Sequence, residues 1–373
     1  MGIGIYIHIP FCVKKCKYCD FLSFSTREWE PEYIRHLVLE MQQWKEVVSA
    51  HVVDTIFIGG GTPSVLSLTN MERMLRGICD MLSDRPVAEF TVECNPGTVD
   101  EERLLLMKQY GVNRLSFGIQ SAVDQELQNL GRIHTFSEAK ESYDLARRCG
   151  FENINLDLMS AIPGQTLSSY GHTLDEILGL SPEHISSYSL IIEEGTPFYK
   201  LYQDQPPVDE DTDRLMYELT KEKLAEYGYQ RYEISNYAKQ GYSCRHNLKY
   251  WRGEDYLGFG LGASSLWQGK RFSNERDPKA YFSRIQNGGP AHGEEEILST
   301  EDKMAEFMFL GLRCMKGISI AAFQDRFGNS LEEIYGEVIH KHIKNGLLER
   351  KNDSVYLTER GIDVSNYVFA DFL

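Results

Sequence analysis

Cys12, Cys16 and Cys19, in the run HIPFCVKKCKYCDF, are the residues of this chain whose type and spacing point most directly to chemistry. Closely spaced thiolates on one loop can converge on an iron–sulfur cubane, which prefers thiolate ligands, normally one per iron. Three ligands leave one iron without a protein donor, and that iron can chelate a small molecule. Lys14, Lys15 and Lys17 lie among the cysteines and are expected to favour thiolate over thiol. Two plainer readings compete. Zinc could take the three cysteines plus a histidine such as His8, although structural zinc sites usually pair two C-x-x-C elements. Alternatively the cysteines could be buried hydrophobes, which three in such a short run flanked by lysines oppose.

The elements that must position these residues read as alternating strands and helices. From the start to about residue 230 the runs GIYIHIP, TIFIGG, EFTVECNP, RLSFGIQ, NINLDLM and HISSYSLI alternate with amphipathic helical stretches such as PEYIRHLVLEMQQW and SEAKESYDLARRCG. Gly111 and Gly150 stand where C-terminal caps would. Six such units imply a parallel sheet with right-handed crossovers, either open and doubly wound or a partial barrel. His8, the GGGT at 59–62, Glu93, Gln120 and Asp157 fall at or just past the carboxyl ends of successive strands, where both architectures put their active sites.

Residues 231–299 change texture, being rich in Tyr, Trp, Gly and Asn with weak periodicity, as loops and short strands covering a site would be. From residue 300 to 373, three helices, a hairpin turning at Asn352–Asp353 and a last helix resemble a winged-helix α+β domain. The net charge of −16 argues against a protein that wraps nucleic acid, so this domain reads as a structural or partner-binding module. No apolar run is long enough to span a bilayer, and the apolar start reads as a buried first strand, not a signal peptide. Eight cysteines in 373 residues are too sparse for a disulfide framework; with Cys79, Cys94, Cys149, Cys244 and Cys314 scattered, a reducing, cytoplasmic compartment is expected.

C-x-x-x-C-x-x-C with Tyr18 before the last cysteine resembles the signature of radical S-adenosylmethionine proteins. That resemblance implies a partial (β/α)6 barrel over residues 1–230, with a 4Fe–4S cluster on Cys12, Cys16 and Cys19. YIHIPFC, GGGTPS, ECNP, SFGIQS, LGRIH and NLDLMSAIPGQT are similar to the oxygen-independent coproporphyrinogen oxidase superfamily. By that likeness Tyr6, Gly60, Gly61, Thr62, Glu93, Gln120, Arg132 and Asp157 contact S-adenosylmethionine. The chemistry is suitable: glycines let backbone approach closely, Arg132 can pair with a carboxylate, and Glu93 and Asp157 can accept from an amine or ribose hydroxyls.

Two departures separate the chain from the oxidases. Phe21 stands where they carry a fourth cysteine, and the first strand starts almost at Met1, where they have a long arm. Both features resemble instead the haem-chaperone branch of the superfamily. HNLKYW at 246–251 looks like that branch's H-N-x-x-Y stretch, which implies haem binding through His246 or Tyr250. Tyr237, Tyr242, Trp251, Tyr256 and Phe259 are aromatics that could pack a porphyrin; the competing reading is an aromatic core patch in which His246 only hydrogen-bonds backbone. The resemblance implies delivery of haem to acceptors such as membrane-associated respiratory enzymes, without coproporphyrinogen oxidase activity, and is compatible with a homodimer. The alternatives are anaerobic coproporphyrinogen III decarboxylation, and radical chemistry on another substrate such as RNA.

Overall fold

The computed structural model describes residues 2–373. Each of the six strand-like runs forms a strand: β1 (Ile3–Ile9), β2 (Val53–Gly60), β3 (Glu89–Cys94), β4 (Arg114–Gln120), β5 (Ile154–Ser160) and β6 (His184–Ser189). They lie side by side in chain order, all parallel. Sequential parallel strands joined by crossovers of one hand carry their helices on one face. The sheet therefore curls around its other face, and the result is the partial (β/α)6 barrel rather than the open doubly wound sheet. Gly111 and Gly150 take φ of +87° and +83° past their helices, as the capping reading requires.

Side-chain alternation within the strands sets the two faces apart. Ile3, Ile5, Ile7 and Ile9 of β1, and Leu115, Phe117 and Ile119 of β4, are buried in the main apolar core. The intervening residues are polar or small, as with Tyr6 and His8 or Ser116 and Gly118, and they line cavities inside the barrel. A parallel strand covered by apolar layers on both faces would read as a continuous apolar run. Here the inner face is polar because it surrounds a site.

The stretch after residue 230 does more than cover that site. β7 (Gln230–Glu233) and β8 (Asn236–Ala238) extend the sheet beyond β6. The chain then crosses the barrel as a short helix, Arg245–Trp251, and re-enters the sheet at the opposite edge. There β9 (Tyr256–Phe259) pairs parallel with β1, and β10 (Ser264–Trp267), β11 (Lys270–Ser273) and β12 (Glu296–Ile297) continue antiparallel. The short strands expected here are present, but strands this short offer too few residues for a periodic pattern that would place them in the sheet.

The crossing helix floors the barrel at the amino ends of the strands. Glu89, the first residue of β3, accepts the backbone amides of Arg245 and His246 at 2.9 Å each. Lys249 is buried, donates to the Gly2 carbonyl at 2.7 Å, and pairs with Asp54 and Glu254 at 2.9 Å each. Arg114, fully buried at the start of β4, has Glu89 and Asp157 as nearby counter-charges.

Residues from Thr300 onward form a second unit with its own core, including Met308, Phe323 and Val355. The helix Thr300–Gly311, β13 (Ile318–Ser319), the helices Ile320–Phe327 and Leu331–Lys344, and the hairpin β14 (Leu348–Lys351) and β15 (Ser354–Leu357) follow in winged-helix order. Asn352, at the expected hairpin turn, takes a φ of +53°. This unit rests on the floor helix: Arg313 lies over Trp251, and Arg326 donates to the carbonyls of Arg252 and Gly253. Among the described residues no helix is long and apolar enough to cross a membrane.

Replacing Glu89 with Ala strips two buried amides of their acceptor and Arg114 of a counter-charge. Glu89→Ala is expected to cost on the order of 3 kcal/mol, read as a lowered thermal midpoint, with Glu89→Gln less damaging.

Candidate functional site

The loop after β1 carries the three cysteines, and backbone hydrogen bonds within it and to distant segments fix its path. Cys12 N donates to Phe24 O and Phe24 N to Pro10 O, folding the loop back on itself. Lys17 N bonds Leu130 O while its carbonyl accepts from Phe198 N. The GGGT turn after β2 presses against the loop: Gly61 N donates to Ile9 O and Thr62 N to Phe11 O. A Cβ on Gly61 would lie 2.6 Å from Phe11 O and 2.8 Å from Ile9 O, so only glycine fits.

Cys12, Cys16 and Cys19 line one cleft of about 450 Å³ at the carboxyl end of the barrel. None is in a disulfide, and each is half-buried. At Cys12 and Cys19 the lysines do not govern the thiols as expected. Burial pushes Cys12 up, and Cys19 up to about 11, against the weaker pull of Lys15 on Cys19. The zinc alternative finds no fourth ligand in His8, whose ring nitrogens lie 2.7 Å from Leu22 O and 3.1 Å from Tyr6 Oη. Among the described residues no three His, Cys, Asp or Glu side chains converge on a position for a single metal ion.

Gly60, Gly61, Thr62, Glu93, Gln120, Arg132 and Asp157 all line the same cleft. Glu93 accepts the Gly60 amide at 3.1 Å; burial first, and Asp157 second, raise its carboxyl to about 7. Asp157 is not at a strand end as expected. It sits mid-way along β5, reaching the cleft because it points inward, and accepts from Asn155 Nδ2 at 2.7 Å and Ser116 Oγ at 3.4 Å. Burial raises its carboxyl as well. Arg132 donates from Nη1 to Asn95 Oδ1 at 2.9 Å and leaves its buried Nε without a partner. Asn95 in turn donates to Thr62 Oγ1 at 2.7 Å, and Thr62 Oγ1 lies 3.6 Å from Cys12 Sγ. The cleft thus sets paired carboxylates and a guanidinium beside three thiols, suited to a zwitterion bound next to a metal cluster.

Comparison with known proteins agrees with this arrangement. Residues 6–177 match the radical SAM superfamily and residues 298–364 the HemN C-terminal domain. The chain is 40% identical to the heme chaperone HemW of Bacillus subtilis, covering 99% of this chain and 98% of that one. With the HemW of Escherichia coli the identity is 37%, over 96% and 95% of the two chains. The chain belongs to the HemW family. Its fold matches coproporphyrinogen III oxidase, HemN, from Escherichia coli with a TM-score of 0.85, at 20% identity, over all of this chain and 90% of that one.

The remaining residues singled out in the sequence divide between two places. Tyr6 is apart from the cysteine cleft; it lines a neighbouring cavity of about 540 Å³ together with Tyr250, Trp251, Tyr256, Arg271 and Arg276. Gly60, Glu93, Asp20 and Phe21 line both spaces and form the wall between them. Tyr237 and Phe259, expected among the porphyrin-packing aromatics, are instead buried in the apolar core. His246 is 1% exposed, with Nδ1 2.9 Å from Thr55 Oγ1 and Nε2 2.8 Å from Tyr250 Oη. Its ring is buried as the core-patch reading expects, but it bonds two side chains, not the backbone that reading called for. Sequence reasoning missed Asn95, Gly118, Tyr188 and the two arginines as lining residues. Gly118 had a signal, since it alternates with core residues in RLSFGIQ; Arg271 and Arg276 had none.

Gly61→Ala is expected to destabilise by about 3 kcal/mol, because the clash is with backbone. Gly97→Ala, with a φ of +75° but open space around it, should cost only about 1 kcal/mol. Paired thermal or urea melts compare the two.

Proposed function

We propose that this chain binds haem beside a 4Fe–4S cluster and passes it to acceptor proteins, membrane-associated respiratory enzymes among them. The observation that carries the reading is the shared wall: a cleft holding three thiols abuts an aromatic, arginine-bearing cavity. The cavity adjoins the HNLKYW stretch, and the chain's relatives are heme chaperones by name.

Cys12, Cys16 and Cys19 would hold the cluster, and their donor chemistry fits it: three soft ligands on one loop, with no fourth protein donor at hand. When bound, such a cluster supplies an open iron that chelates the amine and carboxylate of S-adenosylmethionine. The residues around it suit that ligand. The unpartnered Arg132 Nε offers a donor to the carboxylate, and Glu93 and Asp157 offer acceptors to the amine or ribose. Thr62, Gln120, Gly60 and Gly61 complete the lining. Free thiols at every cysteine suit a reducing, cytoplasmic setting.

Cys12→Ala, Cys16→Ala and Cys19→Ala are each expected to abolish iron loading on anaerobic reconstitution, whereas Cys149→Ala and Cys314→Ala leave it intact. Equal iron content in all five defeats the cluster assignment. Spectral titration of the reconstituted protein with haem should saturate near one haem per chain; a titration that never saturates sinks the chaperone reading. Phe21, 59% exposed at the oxidases' fourth-cysteine position, disfavours coproporphyrinogen decarboxylation. An anaerobic assay with reductant and S-adenosylmethionine is expected to yield no protoporphyrinogen.

A further inference from the structure

Asn95, just past β3, joins the guanidinium on one side of the cysteine cleft to a thiol on the other. Its backbone is clamped in place. The Asn95 amide donates to Ser64 Oγ at 3.4 Å, and its carbonyl accepts from Thr98 N at 3.1 Å and Thr98 Oγ1 at 2.7 Å. Ser64 follows Thr62 by two positions, and its hydroxyl lies 2.5 Å from that of Thr98. The side chain of Asn95 is thereby aimed at Thr62 and Arg132.

These partners dictate which way every proton in the set points. A guanidinium only donates, so Arg132 Nη1 requires Asn95 Oδ1 opposite it, at 2.9 Å. That leaves Asn95 Nδ2 facing Thr62 Oγ1 at 2.7 Å, and the hydroxyl must accept. The single proton of the Thr62 hydroxyl is then free for Cys12 Sγ, 3.6 Å away. The bonds run head to tail from a cation to a thiol, an arrangement in which each polarises the next. Asn95 takes Arg132 by Nη1, whereas Nε, buried without a partner, belongs to the Nε–Nη2 edge. That edge is the fork able to take a carboxylate through two parallel bonds. A Cβ on Gly118 would lie 2.9 Å from Arg132 Nη2 and 3.2 Å from Asn95 Oδ1, so the glycine leaves room for the pair.

Resting on the cluster and S-adenosylmethionine reading above, we propose that Asn95 is a positioning residue that couples the two ligands of the cleft. It presents Arg132 to the methionyl carboxylate, and through Thr62 it sets the hydrogen bond on Cys12 Sγ. A hydrogen bond to a ligand sulfur favours the more negative, reduced form of a cluster. Pairing Arg132 with a carboxylate draws its charge away from the chain of bonds, so occupancy at one end is felt at the other. No covalent bond changes, and no proton or electron passes along the chain.

The test is redox titration of the full, anaerobically reconstituted chain, followed by electron paramagnetic resonance. Affinities are measured beside it for S-adenosylmethionine and for its decarboxylated form. Thr62→Val, which keeps the shape and removes the donor, should lower the midpoint potential. The expected fall is roughly three- to tenfold in the reduced-to-oxidised ratio, the worth of one hydrogen bond. Asn95→Ala should shift it the same way, and the double variant no further than Thr62→Val, because both act through one bond. Asn95→Ala should also narrow the preference for S-adenosylmethionine over the decarboxylated form by about tenfold. An unmoved potential in Thr62→Val overturns the Thr62 link. Additive shifts in the double variant, or an undiminished preference in Asn95→Ala, overturn the coupling. A merely structural role would lower iron content or melting temperature and leave the potential and preference of the loaded fraction as in the wild type. Should Asn95→Ala load no iron, Gly118→Ala, which crowds the Arg132–Asn95 bond, takes its place with the same expectations. A wild type that loads no iron removes the cluster reading itself, whereas a loaded wild type with unaltered variants removes this inference alone.

Discussion

Glu89 stands at the amino end of β3, inside the barrel and shut off from solvent, with its carboxylate turned onto the first amides of the floor helix. A buried carboxylate is costly unless its oxygens are bonded, and an uncapped helix end is costly unless its amides are met. Each deficit cures the other, and Arg114 beside them supplies the counter-charge. Much of the architecture depends on this contact. It closes the amino end of the barrel below the cavities. It also fixes where Asn247 and Tyr250 meet those cavities, and it presents Trp251 and Arg252 to the C-terminal unit.

The opposite end of the barrel is governed by close approach instead of charge. The GGGT turn and the cysteine loop share backbone hydrogen bonds that leave no space for a side chain at Gly61. Thr62 carries the constraint onward, to Cys12 on one side and through Asn95 to Arg132 on the other. The thiols and the polar groups facing them are therefore held by one connected set of contacts. A shift at the turn would move both halves of the cleft. Between the two ends, Glu93 and Gly60 belong to both cavities, which ties the environment of one to the other.

Local chemistry explains why so much was legible from the chain alone. The strand alternation in IGIYIHI and RLSFGIQ records one apolar and one polar face, so both the parallel sheet and an internal site follow from period-two patterning. The cysteine triplet is contiguous and so visible in the sequence, although distant segments at Leu130 and Phe198 hold its loop in place. The hairpin at Asn352 and the helices around it are likewise set by nearby residues. Asp157 was read as a strand-end residue but lies mid-strand, because a strand's inward direction, not its end, brings it to the cleft.

By itself, then, the sequence determined the barrel units, the winged-helix unit, the thiol cluster and most of the groups around it, since each is encoded within a few residues or one strand period. Only the tertiary structure decided that residues 231–295 extend the sheet at both edges, that Tyr6 belongs to the second cavity, and that His246 faces Thr55 and Tyr250. Those outcomes rest on contacts between segments far apart in the chain, such as Gly4 with Tyr256 and Glu89 with His246. Residue spacing carries no record of such contacts; they are fixed by which buried polar groups must satisfy one another once the chain has closed on itself.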